Sequence, residues 1–118
     1  MDGDDLRPLV WMGDSKRQLL KLPKEVRKTM GFQLQAAQKG KKPGLSKPFK
    51  GIGSGVFEIC KDYNTNTYRA VYAVQIGEDI YVLHVFQKKS KRRAETPKPD
   101  VDLIRRRYRE ARELAKYE

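Results

Sequence analysis

The chain has one cysteine, Cys60, and one histidine, His84, among its 118 residues. A lone cysteine excludes an internal disulfide and suits a reducing compartment, so a cytoplasmic location is expected. One cysteine and one histidine cannot assemble a zinc site of the usual composition, and no metal or other cofactor is expected. Long apolar runs are missing too, and nothing approaches the roughly 20 apolar residues of a membrane span. The segment Met1 to Asp5 is acidic and no apolar stretch follows it, so no secretory signal is expected. Hydrophobic residues make up only 38% of the chain and charged residues 35%, yet the apolar residues are clustered, which argues against wholesale disorder. The length suits one modest core, so residues 1–118 are expected to form a single domain with residues 1–7 flexible.

Acidic residues are outnumbered, 15 against 26 lysines and arginines, and the net charge is +11. Residues 1–38 contribute +2, residues 39–61 +5, residues 62–87 −2 and residues 88–118 +6. Two basic blocks therefore flank the most apolar part of the chain. That distribution predicts a polyanionic partner, and nucleic acid is the commonest one. A merely soluble basic surface is the plain alternative. A membrane surface fits less well, because the basic helices lack a clean apolar face.

The pattern along the chain predicts the order β-α-α-β-β-β-α. Leu9 to Met12 is a short strand closed by Gly13. Asp14 is placed to cap a helix over Ser15 to Lys21 with its carboxylate. Pro23 suits the first turn of a second helix, which carries Val26, Met30, Leu34 and Ala37 at helical spacing and stops at Gly40. Residues 40–55 form a basic loop rich in glycine and proline, with Lys41, Lys42, Lys47 and Lys50. Alternation over Val56 to Lys61 and over Tyr68 to Ile76 predicts two strands joined by a polar turn. Ile80 to Phe86 is apolar almost throughout, as a central strand should be. The run Gln87 to Arg93 is basic. Asp100 to Tyr117 is a helix with a core stripe of Val101, Ile104, Tyr108, Ala111 and Ala115, and with Arg105, Arg106, Arg107, Arg109 and Arg112 on its other faces.

Antiparallel neighbours that share a core face also share the opposite one. If Phe57, Ile59, Tyr68, Ala70 and Tyr72 meet the helices, Glu58 and Arg69 must lie together on the open side of the sheet. A carboxylate and a guanidinium placed there have no core-packing task.

Several segments resemble the phage-derived RelE/HigB-like toxins of toxin–antitoxin modules. They are Trp11–Ser15 (WMGDS), Leu22–Arg27 (LPKEVR), Lys47–Gly51 (KPFKG), Gly53–Ile59 (GSGVFEI), Thr67–Tyr72 (TYRAVY) and Leu83–Ser90 (LHVFQKKS), in family order over residues 8–115. The resemblance implies an α+β, RelE-like single domain: an antiparallel sheet with a helical hairpin and a C-terminal helix packed on one face. It implies endonucleolytic cleavage of mRNA, often on the ribosome in such proteins, and neutralisation by a HigA-like helix-turn-helix antitoxin. Carried over by motif, Tyr-Arg-x-x-Tyr places its arginine at Arg69, and the basic pair after the last strand at Lys88 and Lys89. Glu58 and Cys60 stand where some relatives have two lysines, so Glu58, Lys50 and His84 remain candidates for the general base. Tyr108 belongs to the helix stripe, and no tail tyrosine takes a catalytic place.

The residue inventory suits that chemistry. RNA can be cut by its own 2′-hydroxyl, given a proton acceptor, cations for the developing charge and help for the leaving oxygen. Arg69 suits the phosphate through its planar fork of donors. Lys88 or Lys89 adds positive charge or protonates the leaving group. Glu58 either takes the 2′-hydroxyl proton or orients Arg69. Lys47, Lys50, Lys61, Lys91, Arg92 and Arg93 are candidate RNA contacts, whereas Cys60 is a small inert side chain and His84 fits a packed core position better than a catalytic one. Two other classes compete with the ribonuclease: a noncatalytic nucleic-acid-binding phage accessory protein of the same fold, and a protein-interaction subunit with an acidic partner.

Overall fold

The computed structural model describes residues 6–88 and 96–117. Its strands are β1 (Leu9–Trp11), β2 (Ser46–Pro48), β3 (Val56–Tyr63), β4 (Asn66–Ala73) and β5 (Ile80–Lys88), and its helices α1 (Ser15–Leu20), α2 (Lys24–Gln38) and α3 (Lys98–Ala115). The α+β class and the order of the long elements are as the sequence predicts. The addition is β2, a short edge strand inside the loop of residues 40–55. There Lys47 lies opposite Glu58 and Pro48 opposite Phe57. Proline is tolerated because one side of an edge strand needs no ladder donor.

The sheet runs β1-β5-β4-β3-β2. It is antiparallel except at one edge, where β1 pairs parallel with β5, Leu9 against Ile80 and Trp11 against Val82. Of the first seven residues, Met1 to Asp5 lie outside the described residues. Arg7 donates from Nη2 to the Val74 carbonyl at 2.7 Å and from Nε to the Glu78 carbonyl at 2.9 Å, which ties the start of β1 to the turn before β5.

Helices cover both faces, not one. The α2 stripe of Val26, Met30, Leu34 and Ala37 packs on Ile59, Tyr68, Ala70, Tyr72, Ile80, Val82 and Val85. On the reverse face, Ile104, Tyr108 and Ala111 of α3 pack on Val56, Val71, Ala73, Tyr81 and Leu83. β5 supplies both layers, so its residues are apolar on either side. Each layer hides several large side chains completely, worth roughly 1.5–3 kcal/mol apiece by transfer.

A β-bulge interrupts the β4–β5 ladder: Tyr72 pairs with Val82, but Val71 pairs with His84. Leu83 is the extra residue. Beyond it the alternation of β5 is shifted by one, so His84, Phe86 and Lys88 point to the α3 side.

Asp14 stands at the N-cap of α1 but caps nothing with its side chain. Its carboxylate instead accepts from Arg107 Nη2 at 2.8 Å and from Gln18 Nε2 at 3.1 Å. The Arg107 hydrogen bond pulls the Asp14 carboxyl below its ordinary range. Arg107 is therefore buried rather than on a solvent face, and it also donates to the Leu83 carbonyl at 3.0 Å. Gly13 makes room for it. With φ at +53°, a Cβ there would stand 2.4 Å from Arg107 Nη2.

Candidate active-site face

Cross-strand register arranges the chemistry in rows on the α3 side of the sheet. One row runs Lys47, Glu58, Val71, His84; the next runs Cys60, Arg69, Phe86; the third runs Asp62, Thr67, Lys88. Directly opposed residues stand roughly 5 Å apart at Cβ and diagonal ones roughly 7–8 Å. Glu58 and Arg69 are diagonal neighbours, and their long side chains close that gap. Arg69 Nη1 donates to Glu58 Oε1 at 2.6 Å. Their side chains are 13% and 8% exposed, so the pair is mostly withdrawn from water. The face the sequence suggested is thus correct for these two residues, but it is not open. α3 covers the part of it around Val56, Val71, Ala73 and Leu83.

The pair is incompletely satisfied. Arg69 Nε is buried without a hydrogen-bond partner, and Glu58 Oε2 makes no hydrogen bond among the described residues. The Asp62 carboxylate does not compete for Arg69, since it accepts from Thr67 Oγ1 at 2.8 Å.

Lys88, the last residue of β5, is 4% exposed. Burial pulls its ammonium below the ordinary lysine range, the Arg69 charge adds to that, and Glu58 opposes it. Lys88 makes no ion pair among the described residues. Cys60 faces the same side, half-buried; desolvation first and the Glu58 charge second push its thiol up, away from the reactive thiolate.

His84 lies in the Glu58 row but is engaged elsewhere. Its Nε2 shares a 2.8 Å hydrogen bond with Asp100 Oδ1 at the start of α3, its ring stacks on Phe86 with centroids 4.6 Å apart, and Nδ1 is buried without a partner. Desolvation holds its pKa below the ordinary 6.5 against the pull of Asp100. Asp100 is a member of this neighbourhood that sequence reasoning missed; its only sequence signal was an acidic residue in the first turn of a helix.

Lys47 is exposed at the sheet edge directly opposite Glu58, and Lys50 is exposed just beyond β2. Lys61 is opposite Tyr68, on the α2 side, and is not brought to the cluster. Lys89, Lys91, Arg92 and Arg93 lie outside the described residues.

The assembled group is a paired carboxylate and guanidinium with unused hydrogen-bonding atoms, flanked by one buried and one exposed lysine. It can hold an oxyanion, accept a proton and return one. Among the described residues, no helix is long and apolar enough to cross a membrane. The chain matches no curated protein and no solved structure. A family model does match, that of the phage derived protein Gp49-like, over residues 17–109. That stretch includes α2, all of β2 to β5 and most of α3, and therefore every described member of the cluster. The family is associated with RelE/HigB-type toxin–antitoxin proteins, which points to an antitoxin partner. With most of its length matched, the chain belongs to the phage-derived Gp49-like family of toxin-like proteins.

Proposed function

We propose that the protein is the toxin of a type II toxin–antitoxin module, an endoribonuclease that cuts mRNA, on the ribosome, without a metal ion. The observation that carries this reading is the Arg69–Glu58 pair, mostly buried, on one sheet face with Lys88 and Lys47. Glu58 has one oxygen for Arg69 and one for the substrate. Oε1 holds the guanidinium, and Oε2 takes the proton from the 2′-hydroxyl. The 2′-oxygen then bonds to phosphorus as the bond to the 5′-oxygen breaks. Arg69 stabilises the charge that develops on the phosphoryl oxygens. Lys88, its pKa lowered by burial, gives its proton to the leaving 5′-oxygen, and Lys89 follows it in sequence as a second cation. The products are a 2′,3′-cyclic phosphate and a 5′-hydroxyl. A HigA-like helix-turn-helix antitoxin is the partner this reading entails.

The test is cleavage of mRNA by purified protein with EDTA present, with and without ribosomes. Wild type should cut. Arg69→Ala should cut on the order of 10²–10³ more slowly, the usual effect of removing one positioned charge from a transition state, while RNA binding changes far less. Cutting by Arg69→Ala at the wild-type rate would place the chemistry on another surface.

A further inference from the structure

One face of α3 has no part in the cluster and none in the core. Lys98, Arg105, Arg109, Arg112 and Lys116 recur at helical spacing, and from Arg105 to Lys116 the steps are four, three and four. Residues so spaced line one face. At 1.5 Å per residue the Arg105–Lys116 stretch is about 16 Å long. The stripe lies beside the core seam of Ile104, Tyr108 and Ala111, on the side facing the loop after β2.

That loop makes the Arg112–Lys116 end of the stripe one wall of a groove, which Arg105 and Arg109 continue along the helix. Arg105 Nη2 donates to the Gly51 carbonyl at 3.0 Å. Gly53 presses so closely on the Tyr108 hydroxyl that a Cβ there would stand 2.4 Å away. The Arg112 guanidinium lies 5.8 Å from the centre of the Tyr108 ring. Between α3 and the loop a cleft of about 330 Å³ opens, lined on one side by Arg112 and Lys116 and on the other by Ser54 and Gln75. Of the acidic residues bordering the stripe, Asp102 is paired with Lys98 at 3.1 Å and Glu113 with Lys116 at 3.3 Å, both weak surface pairs that a phosphate can displace, and Arg109 and Arg112 make no ion pair among the described residues.

We infer that this groove binds the phosphodiester backbone of single-stranded RNA, as a site separate from the Arg69–Glu58 cluster. The inference rests on the reading of the chain as an RNA-acting protein and adds to it where the strand runs. The charge pattern selects the occupant. A protein partner needs apolar anchors, and the exposed apolar residues of this helical end, Leu114 and Tyr117, lie off the stripe. A polyphosphate backbone needs only spaced cations and hydrogen-bond donors, which the stripe and Ser54 provide.

The experiment measures binding of a long single-stranded RNA and of a trinucleotide across a salt series, with wild type, the triple variant R109Q/R112Q/K116Q and the control R106Q. These positions are exposed, and the helix's core stripe is untouched. Removing three phosphate-binding charges should lower the slope of log affinity against log salt by about 2, and affinity for the long RNA by roughly tenfold or more at low salt. Trinucleotide binding should not change, and R106Q, on another face, should leave both slopes alone. An unchanged slope in the triple variant, or an equal loss in R106Q, would overturn the inference. So would polyglutamate of matched charge binding as tightly as RNA and losing as much, since that would assign the stripe to an acidic protein. Binding is read independently of cutting. A wild type that binds long RNA through the stripe but never cuts it would therefore sink the ribonuclease reading alone.

Discussion

Glu58 and Arg69 were legible in the sequence for a simple reason. In alternating strands, two residues out of phase with the apolar set must share the other face, and a charged pair there stands out. Lys88 was legible only through the basic pair that the resemblance assigned, because β5 is apolar on both sides and its phase cannot be read. The proposed mechanism gives the two Glu58 oxygens separate tasks, and two outcomes follow. Glu58→Gln preserves shape but cannot accept a proton, so cleavage should fall about 10²-fold or more. If Glu58 served only to hold Arg69, the amide would keep much of the rate. Lys88→Met should abolish a basic limb of the pH–rate profile lying below 10.5, the ordinary lysine value from which burial displaces it. A basic limb that persists unmoved in this variant would remove Lys88 from proton transfer.

At the scale of elements, the periodicity of α2 and α3 revealed their core stripes correctly, but not which layer each would cover. The side taken by α3 depends on contacts the pattern does not display. Arg107 is one, a charged residue withdrawn into the seam to bind Asp14 and the Leu83 carbonyl. Arg107→Met keeps the bulk and loses both bonds, and should cost about 2 kcal/mol in urea unfolding; a change within a few tenths would show the clamp to be ornamental. The second contact is His84 with Asp100. Burial depresses the His84 pKa below 6.5, so the unfolded chain takes up the proton first as pH falls. The stability that neutral His84 contributes is complete above 6.5 and is lost as pH drops toward its lower folded value. His84→Gln should flatten that part of the stability curve. A curve with the same slope in wild type and variant would assign the loss to other groups. The β2 strand was hidden because its flanking glycines and prolines read as loop, and only its pairing with β3 makes it a strand.

For the whole molecule, the reading as a toxin predicts that expression alone in bacteria arrests growth and depletes mRNA, and that Arg69→Ala relieves both. Normal growth at high levels of folded wild-type protein would count directly against it. The placement of β5 has a further consequence, concerning the order in which the chain is made. β1 is synthesised first, yet its pairing partner appears about 70 residues later, where Leu9 meets Ile80. Neither layer can close before then, because β5 supplies side chains to both. A nascent chain that has not yet extended past Phe86 has Glu58 and Arg69 but lacks the lysine beside them and the strand that excludes water from them. The sheet and both its layers thus wait on residues 80–88, and the chain stays unfolded for most of its own translation.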